Sequence, residues 1–261
     1  MSKIVTVISG KGGSGKTTLA VNLASAFKLL GKKTLLIDCS FGVRNDDIPL
    51  GVTTELLYNI FDVITGDVRF EDAVVTGFCE HVPDFLGASV SSLPENFPRQ
   101  FSRLISDVSR HYEYIIIDTP SSTGAEFDIS ASCADVILAV SETDLLSLMN
   151  TSLCINKLPS EKEAFLVLNK VSMSASVNRY IEDIIDEVGV PLIGVIKYDE
   201  FVTQSLESGD PIIRYDTYCG RETENIARRL DNQHIDVSEK MLTDSIFERN
   251  KLVLKNISRR V

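Results

Sequence analysis

The chain has 261 residues, of which 44% are hydrophobic and 24% are charged, proportions that are ordinary for a folded globular protein. Its formal net charge of −11 argues against a surface that attracts nucleic acid generally, although a local basic patch is compatible with this total. The five cysteines form no Cys-x-x-Cys pair, which disfavours a zinc site or a redox dithiol. The sequence contains no recognisable signal peptide and no apolar run of membrane-spanning length, so we predict a cytoplasmic location.

Short apolar runs recur along the chain and alternate with segments of helical periodicity. The runs, which are typical of central parallel strands, are 4–8, 34–37, 84–87, 114–117, 136–140, 165–168 and 192–196. Residues 17–30 carry apolar side chains at helical spacing, and Gly31 is placed to end that helix. The alternation predicts an α/β fold with a doubly wound, mainly parallel sheet and helices on both faces. We assign residues 1–232 to this domain and residues 233–261 to a linker and C-terminal helix.

A glycine-rich segment follows the first predicted strand. Residues 9–18 have the sequence SGKGGSGKTT, which fits the pattern Gly-x-x-x-x-Gly-Lys-Ser/Thr of a phosphate-binding loop. Glycines allow positive φ and close backbone approach, so that successive N–H groups converge on a polyphosphate at a helix N-terminus. Lys16 is expected to reach the β and γ phosphates of ATP, and the Thr17 hydroxyl to bind Mg²⁺. The residues predicted to bind the nucleotide are Lys11, Gly12, Gly13, Ser14, Gly15, Lys16, Thr17, Thr18 and Asn169.

Polar side chains stand at the ends of three later strands of the predicted sheet. Ligands of such sheets bind outside the carboxyl ends of the strands, so Asp38, Asp118 and Asn169 are candidates for the same site. Asp118 is predicted to hold Mg²⁺ directly or through water, although a lone aspartate at a strand end is also a common turn or helix cap. Asn169 offers a donor and an acceptor for an adenine edge, and taken alone it is equally a capping residue.

With Lys11 in place, the segment Lys-Gly-Gly-x-Gly-Lys-Thr-Thr resembles the deviant Walker A motif of the MinD/ParA ATPase family. The resemblance extends over residues 1–230 and points to the MinD branch, most clearly in the stretches 42–45, 57–67, 194–196 and 205–212. It implies an ATP-dependent sandwich dimer in which Lys11 reaches the phosphates bound to the partner. It also implies that Lys11, Lys16, Asp38 and Asp118 carry ATP hydrolysis, with Thr17, Asp38 and Asp118 around the metal ion.

Two switch segments depart from the family pattern. The MinD branch usually has Asp-x-Asp in its first switch, whereas this chain has Asp38-Cys39-Ser40 and so lacks the second carboxylate. A serine can hydrogen-bond to water, but it carries no charge and is a poor general base at neutral pH. Either Asp38 positions the attacking water alone and turnover is slow, or Ser40 was introduced to trap the ATP state, or this member binds ATP without much turnover. In the second switch, residues 119–122 are TPSS where SPAG is common in the MinD branch.

The C-terminal residues have a basic amphipathic pattern. On a helical projection of residues 240–261, apolar side chains share one side, while Lys251, Lys255 and Arg259 lie opposite. Five basic residues and no acidic one follow Glu248, and this asymmetry suits an anionic membrane surface. The MinD branch similarly ends in a membrane-targeting helix. The alternative, a helix packed on the domain or on a partner, is supported by Leu252 on the polar side.

Together these features predict an ATP-binding switch protein with Mg²⁺ as the metal. It dimerises on ATP, attaches peripherally to the inner face of the plasma membrane and responds to an activating partner in cell-division-site selection or another positioning process. Two weak helices joined in one dimer gain effective concentration, so that dimerisation can control attachment. Three alternatives stay open: a ParA-like DNA-partition ATPase, which the negative charge disfavours; a non-hydrolysing localisation factor of the same fold; and a metal-cluster ATPase of the nitrogenase-iron-protein type, with Cys133 as its candidate ligand.

Overall fold

The computed structural model of the protein describes residues 2–42, 45–89, 96–121, 124–171, 186 and 188–237. Positions 43, 44 and 122, which belong to the two switch segments, and the predicted helix over residues 240–261 lie outside the described residues. Among the helices of the described residues, none combines the length and the apolar character that crossing a bilayer requires.

Seven parallel strands form a single sheet in the described part of the chain. They are β1 (Lys3–Ile8), β2 (Thr34–Asp38), β3 (Asp84–Leu86), β4 (Tyr114–Asp118), β5 (Val136–Ser141), β6 (Glu163–Val171) and β7 (Leu192–Lys197). Their order across the sheet is β3-β2-β4-β1-β5-β6-β7, so the first strand lies at the centre. Each strand coincides with one of the apolar runs, and β6 extends beyond its predicted run at both ends. The runs are continuous because both faces of the sheet are covered.

Helices pack on both faces of the sheet, as predicted. They are α1 (Lys16–Leu29), α2 (Asp47–Leu50), α3 (Ile60–Thr65), α4 (Phe70–Ala73), α5 (Phe97–Val108), α6 (Ala125–Cys133), α7 (Leu145–Ile155), α8 (Glu200–Glu207) and α9 (Tyr218–Leu230). Successive side chains of β4 alternate between the faces: Ile116 packs in the cluster beneath α1 and α9, whereas Ile115 and Ile117 pack beneath α3 and α5. Gly31 follows α1 with φ +78°, the left-handed conformation expected of a residue that ends a helix.

The strand order brings three sequence segments to one edge of the sheet. Asp118 at the end of β4 lies opposite Asp38 of β2 on one side and opposite Val7 of β1 on the other. The glycine-rich segment begins at Ser9, directly after Ile8 ends β1, and therefore lies at this same carboxyl edge. The predicted phosphate loop and the two aspartates are therefore neighbours, although Lys16 and Asp118 are far apart in sequence.

The chain remains packed on the domain after α9. The guanidinium group of Arg229 donates hydrogen bonds to the carbonyl oxygens of Ile193, Ile235 and Asp236 at 2.7, 2.9 and 2.9 Å. It also forms a buried ion pair with the Glu222 carboxylate at 2.8 Å. Val237 is buried in a cluster with side chains of α7, β6 and β7. Residues 235–237 thus pack against the domain, although the sequence-based boundary lies before them.

Candidate functional site

The phosphate loop, residues 9–18, connects β1 to α1, and its glycines are required by its geometry. Gly13 and Gly15 have φ values of +79° and +90°, in the left-handed region that L side chains rarely adopt. A Cβ atom on Gly10 would lie 2.3 Å from the carbonyl carbon of Asn150 in α7, so the loop and that helix touch through their backbones. The glycine pattern therefore follows from left-handed backbone at two positions and close packing at a third.

Asn169 supports the loop from β6. Its Nδ2 atom donates a hydrogen bond to the carbonyl oxygen of Ser14 at 2.8 Å, and the side chain is buried. A Cβ atom on Gly15 would lie only 2.0 Å from this Nδ2 atom. Because Asn169 lies within a strand, the alternative that it caps a helix is wrong. Its predicted role in reading adenine stays a prediction.

A cavity opens beside Asn169 at the start of α1. Its lining combines apolar and hydrogen-bonding side chains from three parts of the chain, among them Thr18, Asn169, Ile196, Tyr198, Asp199 and Val202. A purine base needs apolar contact for its faces and a few polar groups for its edge. The cavity therefore offers a place for the base of a nucleotide whose phosphates lie on the loop.

Asp118 joins the loop to the neighbouring strand. Its Oδ1 atom accepts a hydrogen bond from Lys16 Nζ at 2.9 Å, and its Oδ2 atom accepts one from Thr17 Oγ1 at 2.6 Å. Both Asp118 and Lys16 are buried, so their ion pair is shielded from solvent. The structure thus brings together three of the residues predicted to act on the phosphates and the metal ion.

Asp38 and a residue that the sequence reading missed, Asp46, complete a buried acidic cluster with Asp118. Ligand oxygens of the three carboxylates lie within 4.8 Å of one another. Asp38 accepts hydrogen bonds from the backbone N–H groups of Ser40 at 2.7 Å and Asn45 at 3.0 Å. Burial and the neighbouring Asp118 carboxylate raise the pKa of Asp38 to about 6. Burial, together with Asp38 and Asp118, raises the pKa of Asp46 well above its usual range.

The donor set of this cluster fits Mg²⁺. The ion prefers carboxylate and hydroxyl oxygens and keeps several of its waters, and the cluster offers Asp38, Asp46 and Asp118 next to the Thr17 hydroxyl. Within the described ranges, three ionised carboxylates beside the Lys16 ammonium would leave an excess of negative charge, which a divalent cation balances. Thr17, Asp38 and Asp118, the residues predicted to hold the metal ion, thus lie together, and their role in binding it stays a prediction.

Lys11 pairs with acidic side chains that do not belong to the cluster of Asp38, Asp46 and Asp118. Its Nζ atom is 3.2 Å from Asp144 Oδ2 and 3.8 Å from Glu142 Oε2, two residues that follow β5. Glu142 also pairs with Lys170 at 3.0 Å, and Lys170 Nζ hydrogen-bonds to the carbonyl oxygen of Gly13. The sequence reading missed these acidic partners. The rule that drew attention to Asp38 and Asp118 would have found them if it had been applied to the end of β5.

A phosphate loop on the central strand, with aspartates at the ends of two adjacent strands, defines a P-loop nucleotide-binding protein. The family model described as the CobQ/CobB/MinD/ParA nucleotide binding domain matches residues 5–212. The chain belongs to this family, which confirms the resemblance to MinD/ParA proteins and the predicted fold class.

Known relatives agree with this assignment over most of their length. The chain is 32% identical over 245 residues to the septum site-determining protein MinD of Synechocystis sp., covering 90% of this chain and 91% of that protein. A MinC:MinD cell division protein complex from Aquifex aeolicus contains a similar chain, with a TM-score of 0.82, 29% identity, and coverage of 91% of this chain and 99% of that one. MinD of Pyrococcus horikoshii complexed with Mg-ADP shares the fold, with a TM-score of 0.75, 24% identity, and coverage of 88% and 96%.

Proposed function

We propose that this protein is a MinD-like cell-division ATPase. It binds Mg·ATP, forms a dimer across the phosphate loop, attaches peripherally to the inner face of the plasma membrane and is reset by a partner protein. The family and the names of its relatives support the ATPase and the cell-division role. The MinC:MinD complex of Aquifex aeolicus supports a cell-division protein as the partner.

Binding of the nucleotide rests on the loop and its neighbours. Backbone N–H groups at the start of α1 would hold the phosphates, and Lys16 would exchange its present partner Asp118 for phosphate oxygens. Thr17, Asp38 and Asp118 would hold Mg²⁺, which supplies charge stabilisation on the phosphates. The cavity beside Asn169 would receive the adenine.

The proposal of a dimer rests on the position of Lys11. A phosphate-loop lysine that bound the nucleotide of its own chain would be expected near Lys16, which pairs with Asp118. Lys11 instead contacts Asp144 and Glu142. An exposed apolar row, defined as Leu145, Leu146, Met149 and Leu153, starts on α7 directly after Asp144. A partly exposed lysine beside an unusually apolar surface suits a second copy of the chain, whose bound phosphates would receive Lys11.

Hydrolysis is proposed to be slow until a partner acts. Lys11 and Lys16 would stabilise the charge that develops on the phosphate oxygens, which is the part of catalysis that positioned cations supply. Asp38 would position the attacking water, while the neighbouring Ser40 adds no charge. The chain therefore has the groups for binding and charge stabilisation, but it lacks the usual second switch carboxylate.

The test is the oligomeric state of wild-type protein and Lys11→Ala, measured by light scattering with ATP and Mg²⁺ and again with ADP. We expect a dimer only for wild type with ATP, and unchanged binding of a fluorescent ATP analogue by Lys11→Ala. Lys28→Ala, which alters a lysine near the far end of α1, is the matched control and should dimerise like wild type.

Two results would count against this proposal. A monomer under every condition would contradict the two-chain site, and a dimer of Lys11→Ala with ATP would contradict the role of Lys11. ATP-dependent, salt-sensitive binding of the dimer to nonspecific duplex DNA would favour the DNA-partition alternative instead.

A further inference from the structure

Asp46 is a buried carboxylate without a hydrogen-bond partner among the described residues. It is 0% exposed, and neither of its carboxylate oxygens accepts a hydrogen bond from the part of the chain that the structure describes. Although it directly precedes α2, its side chain makes no capping hydrogen bond to that helix. Its oxygens instead lie within 4.8 Å of ligand oxygens of Asp38 and Asp118.

The other two carboxylates of the cluster are satisfied by the protein itself. Asp38 accepts two backbone N–H groups, from Ser40 and Asn45. Asp118 accepts Lys16 and the Thr17 hydroxyl. Asp46 differs from both, because the described residues supply the position of its carboxylate but none of the hydrogen bonds that a buried carboxylate requires.

An unpaired buried carboxylate is among the most costly groups that a folded protein can contain. Such a group persists when a ligand satisfies it in the working state. Here the ligand must donate hydrogen bonds or carry positive charge, and it must fit beside the Thr17 hydroxyl and two further carboxylates. A hydrated divalent cation has these properties, because Mg²⁺ keeps several waters whose O–H groups point outward.

We propose that Asp46 is the third carboxylate of the Mg²⁺ site, where it accepts hydrogen bonds from water held on the ion and supplies the charge that Ser40 does not. This inference rests on the proposed function, because the ion arrives with the nucleotide. Asp46 acts through water and is therefore a positioning residue. Its expected effect is on metal affinity and on the placement of water at the phosphate.

The test measures metal binding separately from turnover. Protein is mixed with equimolar ADP, Mn²⁺ is added as the probe, and the free-ion signal is followed by electron paramagnetic resonance. Outer groups that orient a metal site typically contribute 10–100-fold to metal affinity, so we expect Asp46→Asn to bind Mn²⁺ about 10-fold or more weakly than wild type. Asp47→Asn, which removes the adjacent buried carboxylate outside the cluster, should bind Mn²⁺ like wild type.

Thermal unfolding gives a second readout. In EDTA, Asp46→Asn should melt at least as high as wild type, because it removes a buried acid whose ionised form is repelled by the Asp38 and Asp118 carboxylates. Addition of ADP and Mg²⁺ should raise the melting temperature of wild type more than that of the variant. If the asparagine variant does not fold, Asp46→Leu replaces it in both measurements.

The possible results separate the inference from the proposed function. Equal Mn²⁺ affinity of wild type and Asp46→Asn overturns the inference, even if the variant melts higher, because Asp46 would then be only a neutral buried acid. Failure of wild type to bind ADP and Mn²⁺ overturns the proposed function as well. Weaker binding by Asp46→Asn, with normal binding by Asp47→Asn, supports the inference.

The substitution Ser40→Asp adds a test of the compensation. If Asp46 supplies the charge that position 40 lacks, Ser40→Asp should restore Mn²⁺ affinity in the Asp46→Asn background. In the wild-type background it should bring little gain, since a further carboxylate would crowd an acidic cluster. Equal effects in the two backgrounds would show that the positions act independently and would overturn the compensation.

Discussion

Lys16 and Asp118 form a buried ion pair at 2.9 Å. Breaking a buried ion pair leaves an uncompensated charge. Lys16 can therefore separate from Asp118 only if each of the two side chains gains a new partner of opposite charge. Phosphate for Lys16 and Mg²⁺ for Asp118 satisfy both groups at once. We therefore expect the site to bind the metal–nucleotide complex more tightly than nucleotide alone.

The raised pKa of Asp38 predicts a pH dependence of stability in the metal-free protein. Burial and the neighbouring carboxylate of Asp118 raise this pKa from 3.8 to about 6, and the hydrogen bonds from Asn45 and Ser40 only partly oppose the rise. The folded state then binds the proton more tightly, so the contribution of Asp38 to stability is fully present below pH 3.8 and is lost as the pH rises through about 6. Relative to wild type, Asp38→Asn should gain up to about 3 kcal/mol in unfolding free energy between pH 4 and pH 7.5.

Urea unfolding in EDTA at a series of pH values checks this expectation. The quantity of interest is the change with pH in the difference between the two proteins, because the substitution also alters the acceptor for Ser40 and Asn45. Parallel stability curves for wild type and Asp38→Asn across this range would contradict the raised pKa.

Gly10 gives a second prediction for a single residue. A Cβ atom there would meet backbone atoms of Asn150 and Thr151 at 2.3 and 2.5 Å, and backbone in a helix cannot move aside as a side chain can. Gly10→Ala should therefore lower the unfolding free energy by about 3 kcal/mol, at the upper end of typical overpacking costs. Gly12→Ala is the matched control, since no atom lies within 4 Å of its added Cβ, and its stability should be unchanged. Equal stability of the two variants would refute the close contact with α7.

Among the elements, α7 connects the phosphate loop to the proposed dimer interface. The Asp144 carboxylate accepts the backbone N–H of Ser147 at 3.1 Å, which caps the helix, and the same carboxylate pairs with Lys11 at 3.2 Å. The Asp144 carboxylate thus binds both the N-terminus of α7 and the Lys11 ammonium of the phosphate loop. If Lys11 moves to a partner's phosphates, Asp144 keeps its capping role and can accept a new donor.

The exposed apolar row of α7 predicts where dimerisation is sensitive to substitution. Met149→Asp should abolish the ATP-dependent dimer, because a charge would be buried in an apolar contact. Nucleotide affinity and melting temperature should change little, since the side chain is 49% exposed in the single chain. Phe78→Asp is the control, because this exposed residue precedes β3 at the opposite edge of the sheet. A stable Met149→Asp dimer in light scattering with ATP would exclude this row from the interface.

For the molecule as a whole, the described residues after α9 show how the C-terminal segment is attached to the domain. Arg229 binds the backbone of residues 235 and 236, and Val237 packs in the cluster that includes Leu148 of α7 and Leu192 of β7. The segment beyond Val237 therefore starts from a fixed point on the domain. Two such segments in a dimer would start at a fixed separation, which favours binding to one surface.

We expect the wild-type protein with ATP and Mg²⁺ to pellet with anionic liposomes, and truncation after Val237 to abolish pelleting. The truncation is placed there because ending the chain earlier would remove the carbonyl partners of Arg229 and expose a buried cluster. Neutral liposomes serve as the control, since each basic residue near anionic headgroups contributes about 1 kcal/mol. Equal pelleting by the truncated and full-length proteins would rule out the tail as the attachment element.

Much of the architecture could be predicted from local sequence patterns. Each strand appeared as a nearly continuous apolar run because β-strands in a sheet covered on both faces have no polar side. The phosphate loop was recognisable because its left-handed and tightly packed positions require glycine. Asp38 and Asp118 were found because ligands of parallel sheets bind at the carboxyl ends of strands.

The tertiary structure alone decided which of these groups meet. The order β3-β2-β4-β1-β5-β6-β7 places Asp118 between β1 and β2, and it brings Asn169 against Ser14 although 155 positions separate them. Asp46 has no distinguishing pattern, because an aspartate before a short helix is typical of a cap, and only its burial near Asp38 and Asp118 reveals it. Asp144 could have been found at the end of β5, but its pairing with Lys11 depends on β5 lying next to β1 in the sheet. Local periodicity determines the elements and the motif, whereas contacts between distant strand ends depend on sheet order, which no local pattern contains.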